Sequence, residues 1–204
     1  TRRPTPCLGV NASEAIVRIA SYFFERYIPM LKTRRSSFTY DVENGEYSTV
    51  TIGGKLLSPG SINILPGVSG FSIDRRLIVE EKATDVIREL EEFVKEASRE
   101  LGVKAEFTLV QSMDPALTKP DASIVQQLSE AIRSEIGVEP RKTICVGGLD
   151  LRYYTVHGIE AVAYGPGEVA MAHKVDEYIE IDKLRKAIDI YVDLINRVNN
   201  TLKS

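Results

Sequence analysis

The stretch GFSIDRRLIVEEKATDVIRELEEFVKEASRELGVKAEFTLV, residues 70–110, decides the fold class of this chain. It opens with a strand-like run over 70–78 and then changes, over 80–101, to an apolar stripe at three- and four-residue steps, which predicts a helix. Gly102 stands where a left-handed residue commonly closes a helix, and another strand is predicted over 104–110. A strand, a helix and a strand in direct succession indicate an α/β fold.

A second helix is predicted upstream of this stretch. Apolar residues from 16 to 27 recur at helical spacing, and Asn11 or Ser13 is available to cap the first turn. Pro29 lacks a backbone N–H and clashes with the preceding turn, so we expect the helix to end near residue 28.

Two further strands are predicted between this helix and residue 70, over 47–52 and 61–65. The order of helix, strands, helix and strand would complete a ferredoxin-like βαββαβ domain if one more strand lay before residue 1. We therefore expect residues 1–110 to form such a domain with its first strand missing.

Beyond residue 110, helices alternate with short apolar runs, which indicates a second α/β region over 111–204. Buried strands are predicted over 143–146 and 159–164, and the last helix is predicted to begin at Ile181-Asp182. The apolar residues that mark the two helices are Val125, Leu128, Ile132 and Ile136, followed by Leu184, Ile188, Tyr191, Ile195 and Val198.

The composition excludes several classes of protein. The 204 residues include 26 Lys and Arg against 29 Asp and Glu, a net charge of −3 that is too balanced for a nucleic-acid partner. No apolar run approaches the roughly 20 residues that cross a bilayer. We expect a cytoplasmic protein without a membrane segment, in which Cys7 and Cys145 are free thiols and Cys145 lies in a buried strand.

Two loops in the second region could carry chemistry. The run GGLDLR at 147–152 follows a predicted strand, and its small residues would let the backbone approach a ligand while Arg152 binds a carboxylate. The loop at 165–168 precedes His173, and imidazole is a common zinc ligand. Taken singly, each has an ordinary alternative: a turn with a surface Asp–Arg pair, and a surface histidine.

The first region offers fewer candidates. Strand alternation places Asp74 and Arg76 on one face and Arg75 on the other. Without further context this is an exposed, charged strand end. Asn63 is a polar residue in an apolar run, which is typical of a turn or bulge.

Taken in order, these segments resemble the metal-dependent amidohydrolase family of acetylornithine deacetylase, succinyl-diaminopimelate desuccinylase, aminoacylase and glutamate carboxypeptidase. The resemblance covers the whole chain. Its carriers are PCLGVNA at 6–12, NILPG at 63–67, DRR at 74–76, GGLDLR at 147–152, GPG at 165–167, and Ala172-His173 with Glu177-Tyr178.

The resemblance implies a catalytic α/β domain that is split by an inserted βαββαβ lid, through which two subunits dimerise. Residues 1–110 would be the lid, and residues 111–204 would be the C-terminal half of a zinc-exopeptidase-like domain. It further implies two zinc or cobalt ions, a glutamate general base, and hydrolysis of the amide of an N-acyl amino acid or peptide. Bound metal would lower the pKa of water and polarise the carbonyl.

Residue by residue, the resemblance implies one metal ligand and six substrate-binding positions in this chain. His173 matches the last metal ligand of the family. Gly148, Asp150, Arg152 and Gly167 match the substrate pocket, and Asn63 and Arg76 match lid residues that reach the substrate or its carboxylate.

The chain also departs from the family pattern. It contains no His-x-Asp motif, Arg2 stands where the lid histidine is expected, and Leu149 replaces the usual Thr or Ser. We therefore expect a fragment whose general base and other metal ligands lie upstream, and which is inactive alone. The alternatives are a non-catalytic relative kept for dimerisation or small-molecule binding, and a free-standing ferredoxin-like regulatory domain, which would leave residues 147–177 unexplained.

Overall fold

The computed structural model describes residues 9–172, 174–201 and 203. The predictions for Arg2, Cys7 and His173 concern residues outside the described ones. Contacts within the chain divide it into two compact units. The first unit runs to Ser37 and resumes over Glu46–Pro115, and the second comprises Phe38–Gly45 and continues from Ala116.

The first unit begins with one long helical segment: α1 over Ala12–Tyr22, a π-helical turn over Phe23–Tyr27, and α2 over Ile28–Leu31. Asn11 caps α1, as predicted, by accepting hydrogen bonds from the backbone of Ser13 and Glu14. The predicted end near residue 28 is wrong. In the wider π turn the Ile28 N–H bonds to the Phe23 carbonyl, and the helical segment continues through Pro29 to Leu31.

An antiparallel hairpin follows, with β1 over Thr49–Leu57 and β2 over Gly70–Arg76. Its register shifts between Ile52 and Leu56, where Gly53 and Gly54 both have positive φ. The helix α3 then spans Ala83–Leu101 and ends at left-handed Gly102, as predicted.

The core of the first unit lies between the two long helical segments. Four buried residues of the first segment stand at strict four-residue steps and face three of α3: Ile19, Phe23, Tyr27 and Leu31 against Val86, Leu90 and Val94. Four residues turn an ideal α-helix about 40° too far, and the π turn takes up this drift. The ring of Phe93 completes the core, with its centroid 4.6 Å from Phe23 and 5.1 Å from Tyr27.

Two predicted strands of the first unit are not formed. Residues 61–65 make a turn and an exposed loop, because they carry the connection between β1 and β2. Residues 104–110 are not hydrogen-bonded into the sheet, which among the described residues contains only β1 and β2. Val103, Ala105 and Phe107 nevertheless alternate into the core as a strand would.

The second unit is built on two packed helices, α4 over Ser123–Ile136 and α6 over Ile181–Thr201, with the short α5 over Leu151–Thr155 and a 3₁₀ turn over Val169–Met171 between them. Ile190 is fully buried against α4, and Tyr164 and Leu194 cover the contact. The α4 side of this contact consists of Leu128, Ala131 and Ile132. No described helix is long and apolar enough to span a membrane.

The predicted buried strands of the second unit are also wrong. Residues 143–146 form one isolated parallel bridge, between Ile144 and Tyr40, and Cys145 is exposed. Residues 159–164 run irregularly, although Thr118 holds this segment by bonding to both the N–H and the carbonyl of Ala161. Apolar composition predicted strands here, but the described residues supply no neighbouring strand.

The apolar residues that marked α6 in the sequence lie mostly outside its buried face. Leu184, Ile188, Tyr191 and Ile195 are all exposed, and the buried residues are Ala187 and Ile190. The helix is apolar on two adjacent faces, so periodicity alone could not decide which face meets α4. A mixed α/β fold is confirmed, whereas the ferredoxin-like lid stays a prediction.

Candidate functional site

The end of β2 presents a charged pair on its outward face. Asp74 and Arg76 stand two residues apart, and the carboxylate Oδ2 accepts hydrogen bonds from both Nε at 3.1 Å and Nη2 at 2.8 Å of Arg76. Both side chains are largely exposed. The predicted alternation is confirmed, because Arg75, between them, points to the opposite face, where its side chain is 4% exposed.

Arg75 is the centre of a buried polar network that the sequence did not predict. Its guanidinium pairs with the carboxylate of Glu81 and donates to the Tyr27 hydroxyl at 3.4 Å. Glu81 also accepts from Ser48 at 2.7 Å and from the backbone N–H of Ile78 at 3.1 Å. The available signal was strand alternation, which placed Arg75 on the face opposite Asp74 and Arg76 without showing that this face is buried. A buried guanidinium needs a carboxylate partner.

Arg34 extends the network toward α3. It donates to Glu81 at 3.2 Å and pairs with Glu89. Burial raises the pKa of the Glu81 carboxyl, but hydrogen bonds from Ser48, Arg75 and Ile78, together with the Arg75 charge, outweigh burial and hold the pKa below its ordinary value. Burial also raises the pKa of the Tyr27 hydroxyl, which therefore stays protonated. The network fixes the inner side of the strand that carries Arg76.

Asn63 lies in the exposed loop that joins β1 to β2. This loop meets the sheet at Leu57 and Gly70, whereas Arg76 is at the other end of β2. Six residue steps of strand lead from Gly70 to Arg76, or about 20 Å. The loop that carries Asn63 therefore joins the sheet at the end opposite Arg76, and no hydrogen bond joins the two predicted substrate residues among those described.

In the second unit, the run at 147–152 is an exposed turn that leads into α5. The Arg152 guanidinium lies over the Tyr153 ring, 4.6 Å from its centroid, and donates from Nη1 to the Leu149 carbonyl and from Nη2 to the Tyr153 hydroxyl. Both terminal nitrogens thus have local acceptors. The Asp150 backbone carbonyl accepts from Tyr153, and a methyl group added at Gly148 would lie 3.6 Å from Arg152, an ordinary contact.

Gly167 lies in a bend before the 3₁₀ turn. The neighbouring Glu168 pairs with Lys183 in the first turn of α6, and Lys183 also pairs with Glu180 at 3.2 Å. These ion pairs tie the loop to the start of α6. His173, the predicted metal ligand, lies outside the described residues.

The described residues do not fit a metal centre by themselves. No group of three or more His, Cys, Asp or Glu side chains among them is arranged to hold an ion. The whole sequence has two histidines. A centre for two zinc ions needs several nitrogen and carboxylate ligands, so it requires residues beyond those described.

The sequence matches a protein family and is similar to several named proteins. The model of the family described as Peptidase family M20/M25/M40 matches residues 16–197. An acetylornithine deacetylase from Myxococcus xanthus is 30% identical over 140 residues, covering 68% of this chain and 35% of the relative. A succinyl-diaminopimelate desuccinylase from Nautilia profundicola is 26% identical over 110 residues, covering 54% and 29%.

A solved structure shows the same fold. An M20 family metallo-carboxypeptidase from Sulfolobus solfataricus superposes with a TM-score of 0.56 at 21% identity, over 95% of this chain and 45% of that one. The chain thus spans less than half the length of each of these three proteins.

Proposed function

The chain belongs to peptidase family M20/M25/M40, and on that premise we propose that the complete protein is a metal-dependent hydrolase of N-acyl amino acids or small peptides. The family match over residues 16–197, which extends through both units, carries the proposal. Relatives named for acetylornithine and succinyl-diaminopimelate favour an acylated amino acid as the substrate.

The part played by this chain is to bind the substrate. An N-acyl amino acid carries a carboxylate, for which a planar guanidinium is the best-matched side chain. Arg76 is 66% exposed and is accessible to such a ligand. Arg152 is half-buried and would exchange one of its local acceptors for the carboxylate. In the proposal, Asn63, Gly148, Asp150 and Gly167 complete the substrate contacts.

Metal is the second component of the proposal. We assign two zinc or cobalt ions, with His173 as one ligand, and place the remaining ligands and the general-base glutamate in a part of the protein outside this sequence. The ligand inventory supports that assignment, since two histidines and the described carboxylates form no cluster. When bound, the ions would lower the pKa of water and polarise the amide carbonyl.

A lid-mediated homodimer is the third component. The hairpin of the first unit and its loop expose a group of large apolar residues: Leu56, Leu57, Ile62, Ile64, Leu65 and Val68. Exposed apolar groups of this kind often mark protein interfaces. In the dimer, Asn63 of one subunit would serve the site of its partner, which would fit the attachment of its loop at the end of the hairpin opposite Arg76. Sedimentation equilibrium of the complete protein tests this, and a monomer would contradict it.

The decisive assay is hydrolysis of N-acetyl-L-ornithine and N-succinyl-LL-diaminopimelate by the complete protein. We expect turnover that a chelator abolishes and that zinc or cobalt restores. Arg76→Ala should raise KM at least about tenfold, because a charge-assisted hydrogen bond is lost. Lys104→Ala is the matched control, since Lys104 is also an exposed cation of the first unit, at 87%, and pairs with the neighbouring carboxylate of Glu106.

One result would overturn the proposal. A metal-loaded complete protein that hydrolyses neither substrate nor a dipeptide would instead support a non-catalytic relative. In that case the chain would act in dimerisation or small-molecule binding.

A further inference from the structure

The outward face of the hairpin is polar at the end that carries Arg76. In the antiparallel register Thr49 stands opposite Arg76 and Thr51 opposite Asp74. Opposed residues project to the same side of a sheet, so the two hydroxyls and the ion pair share one exposed face. On the other face, Val50 and Ile73 pack against the core.

The Asp74–Arg76 contact uses only one side of the guanidinium. A single carboxylate oxygen accepts from Nε and Nη2, which form the lateral edge. The end of the guanidinium, formed by Nη1 and the second hydrogen of Nη2, is a separate pair of donors. A second carboxylate can therefore bind end-on with two parallel hydrogen bonds while Asp74 stays in place.

The strand that carries this pair is anchored through its inner face. Arg75 projects from the inner face between them, and Glu81 and Tyr27 hold its nearly buried guanidinium. Side chains on strands anchored by packing and hydrogen bonds keep their geometry better than side chains on loops. The remaining freedom of Arg76 is that of its own long side chain, and Asp74 restricts it.

We propose that Asp74 is a positioning residue that holds the Arg76 guanidinium end-on toward the carboxylate of the substrate. This inference rests on the proposed function and adds to it a residue that does not touch the substrate. Asp74 lowers the conformational cost of binding, because the arginine is ordered before the ligand arrives. Its effect should appear in substrate binding and not in the chemical step.

Asp74 also has an effect that weakens binding of the substrate. Its negative charge lies next to the proposed carboxylate site and repels the ligand. At an exposed position this repulsion is screened by water and salt. The proposal requires the orienting effect to exceed this screened repulsion, so that removing Asp74 weakens binding of the substrate.

The test compares Asp74→Ala with Glu106→Ala in the complete, zinc-loaded protein. Glu106 pairs with Lys104 at 2.9 Å, also two residues apart and exposed in the first unit, but it belongs to neither strand of the hairpin. With N-acetyl-L-ornithine we expect Asp74→Ala to raise KM about three- to tenfold with little change in kcat. Glu106→Ala should change neither constant. In an Arg76→Ala background, Asp74→Ala should have no further effect.

A second measurement does not depend on turnover. Isothermal titration calorimetry of the metal-free protein should give a Kd for N-acetyl-L-ornithine that rises by the same factor in Asp74→Ala. N-acetylputrescine, which lacks the carboxylate, should bind wild type and variant alike. If the protein is inactive but these Kd values differ as expected, the proposed function fails and the inference stands.

Three outcomes would overturn the inference. They are an unchanged or lowered KM in Asp74→Ala, an equal loss with N-acetylputrescine, and a wild-type protein that binds no N-acetyl-L-ornithine. A loss that persists in the Arg76→Ala background would be a fourth contradiction, because it would show a structural role for Asp74.

Discussion

The two units differ in how completely their apolar residues are covered. In the first, two helical segments enclose Phe23, Tyr27 and Leu31 almost entirely, and a buried ion network closes the edge of the core. In the second, two helices meet through Ala131 and Ile190, while much of the apolar surface of α6 stays exposed. The first unit therefore buries its own core, whereas the second contains more apolar side chains than its described residues can bury.

The largest expected effect is the loss of a core ring from the first unit. Phe23 is fully buried and contacts the rings of Tyr27, Phe71 and Phe93. Phe23→Ala should lower the free energy of unfolding by about 3–5 kcal/mol, because a cavity replaces these contacts. Urea denaturation followed by circular dichroism would measure the loss.

Phe24 provides the matched control, since it is adjacent and 58% exposed. Phe24→Ala should change the free energy of unfolding by less than about 0.5 kcal/mol. Equal losses in the two variants would contradict the described packing of the first unit.

The next largest effect is expected in the second unit, at the contact of α6 with α4. Ile190 is fully buried and Ile188, on the same helix, is 56% exposed. Ile190→Ala should destabilise the second unit by about 2–4 kcal/mol, and Ile188→Ala by less than about 0.5 kcal/mol. Hydrogen exchange of α6 amides measures both. Faster exchange in Ile188→Ala than in Ile190→Ala would mean that the predicted stripe, and not the observed face, packs against α4.

A smaller loss is expected from the ion network. Glu81 is 11% exposed and bonds to Arg34, Arg75 and Ser48. Glu81→Gln leaves a buried guanidinium without a carboxylate and should cost about 2–3 kcal/mol at neutral pH. Glu106→Gln, which removes an exposed charge in the same unit, should cost almost nothing. Equal denaturation midpoints for these two variants would contradict a stabilising role for the network.

The smallest effect is the pH dependence that Glu81 confers. Its pKa is lowered in the folded protein, so its contribution to stability is full above the ordinary glutamate pKa of about 4.3 and is lost as the pH falls through the folded value. Stability of the first unit should therefore decrease in acid. In Glu81→Gln this decrease should be shallower, as measured by urea midpoints across that range. An identical slope would contradict the assigned pKa.

The sequence predicted features that depend on local chemistry. Asn11 caps α1, Gly102 ends α3 in the left-handed region, and α6 begins at Ile181, each for a reason contained within one helical turn. Features that depend on distant partners were missed. Residues 104–110 alternate as a strand does, but a strand needs a neighbour, and the described residues provide none there. Alternation placed Arg75 on the face opposite Asp74 and Arg76, but it did not show that this face is buried or that Glu81 is the partner.

For the candidate site, too, local patterns were predicted and contacts with distant groups were not. Motifs named the residues, and strand alternation placed Asp74 and Arg76 on one exposed face. Motifs could not show that Asn63 lies at the far end of the hairpin, because loop geometry decides it. Nor could they show that Tyr153 and the Leu149 carbonyl engage Arg152, since these contacts depend on rotamers.

The most direct test of the central claim is zinc binding, measured by calorimetric titration of this 204-residue chain beside the complete protein. The claim is that this chain supplies substrate-binding residues and only one metal ligand. It predicts two tightly bound zinc ions in the complete protein and weak binding by the chain alone. Tight binding of two ions by the 204 residues, together with hydrolysis of N-acetyl-L-ornithine, would contradict it.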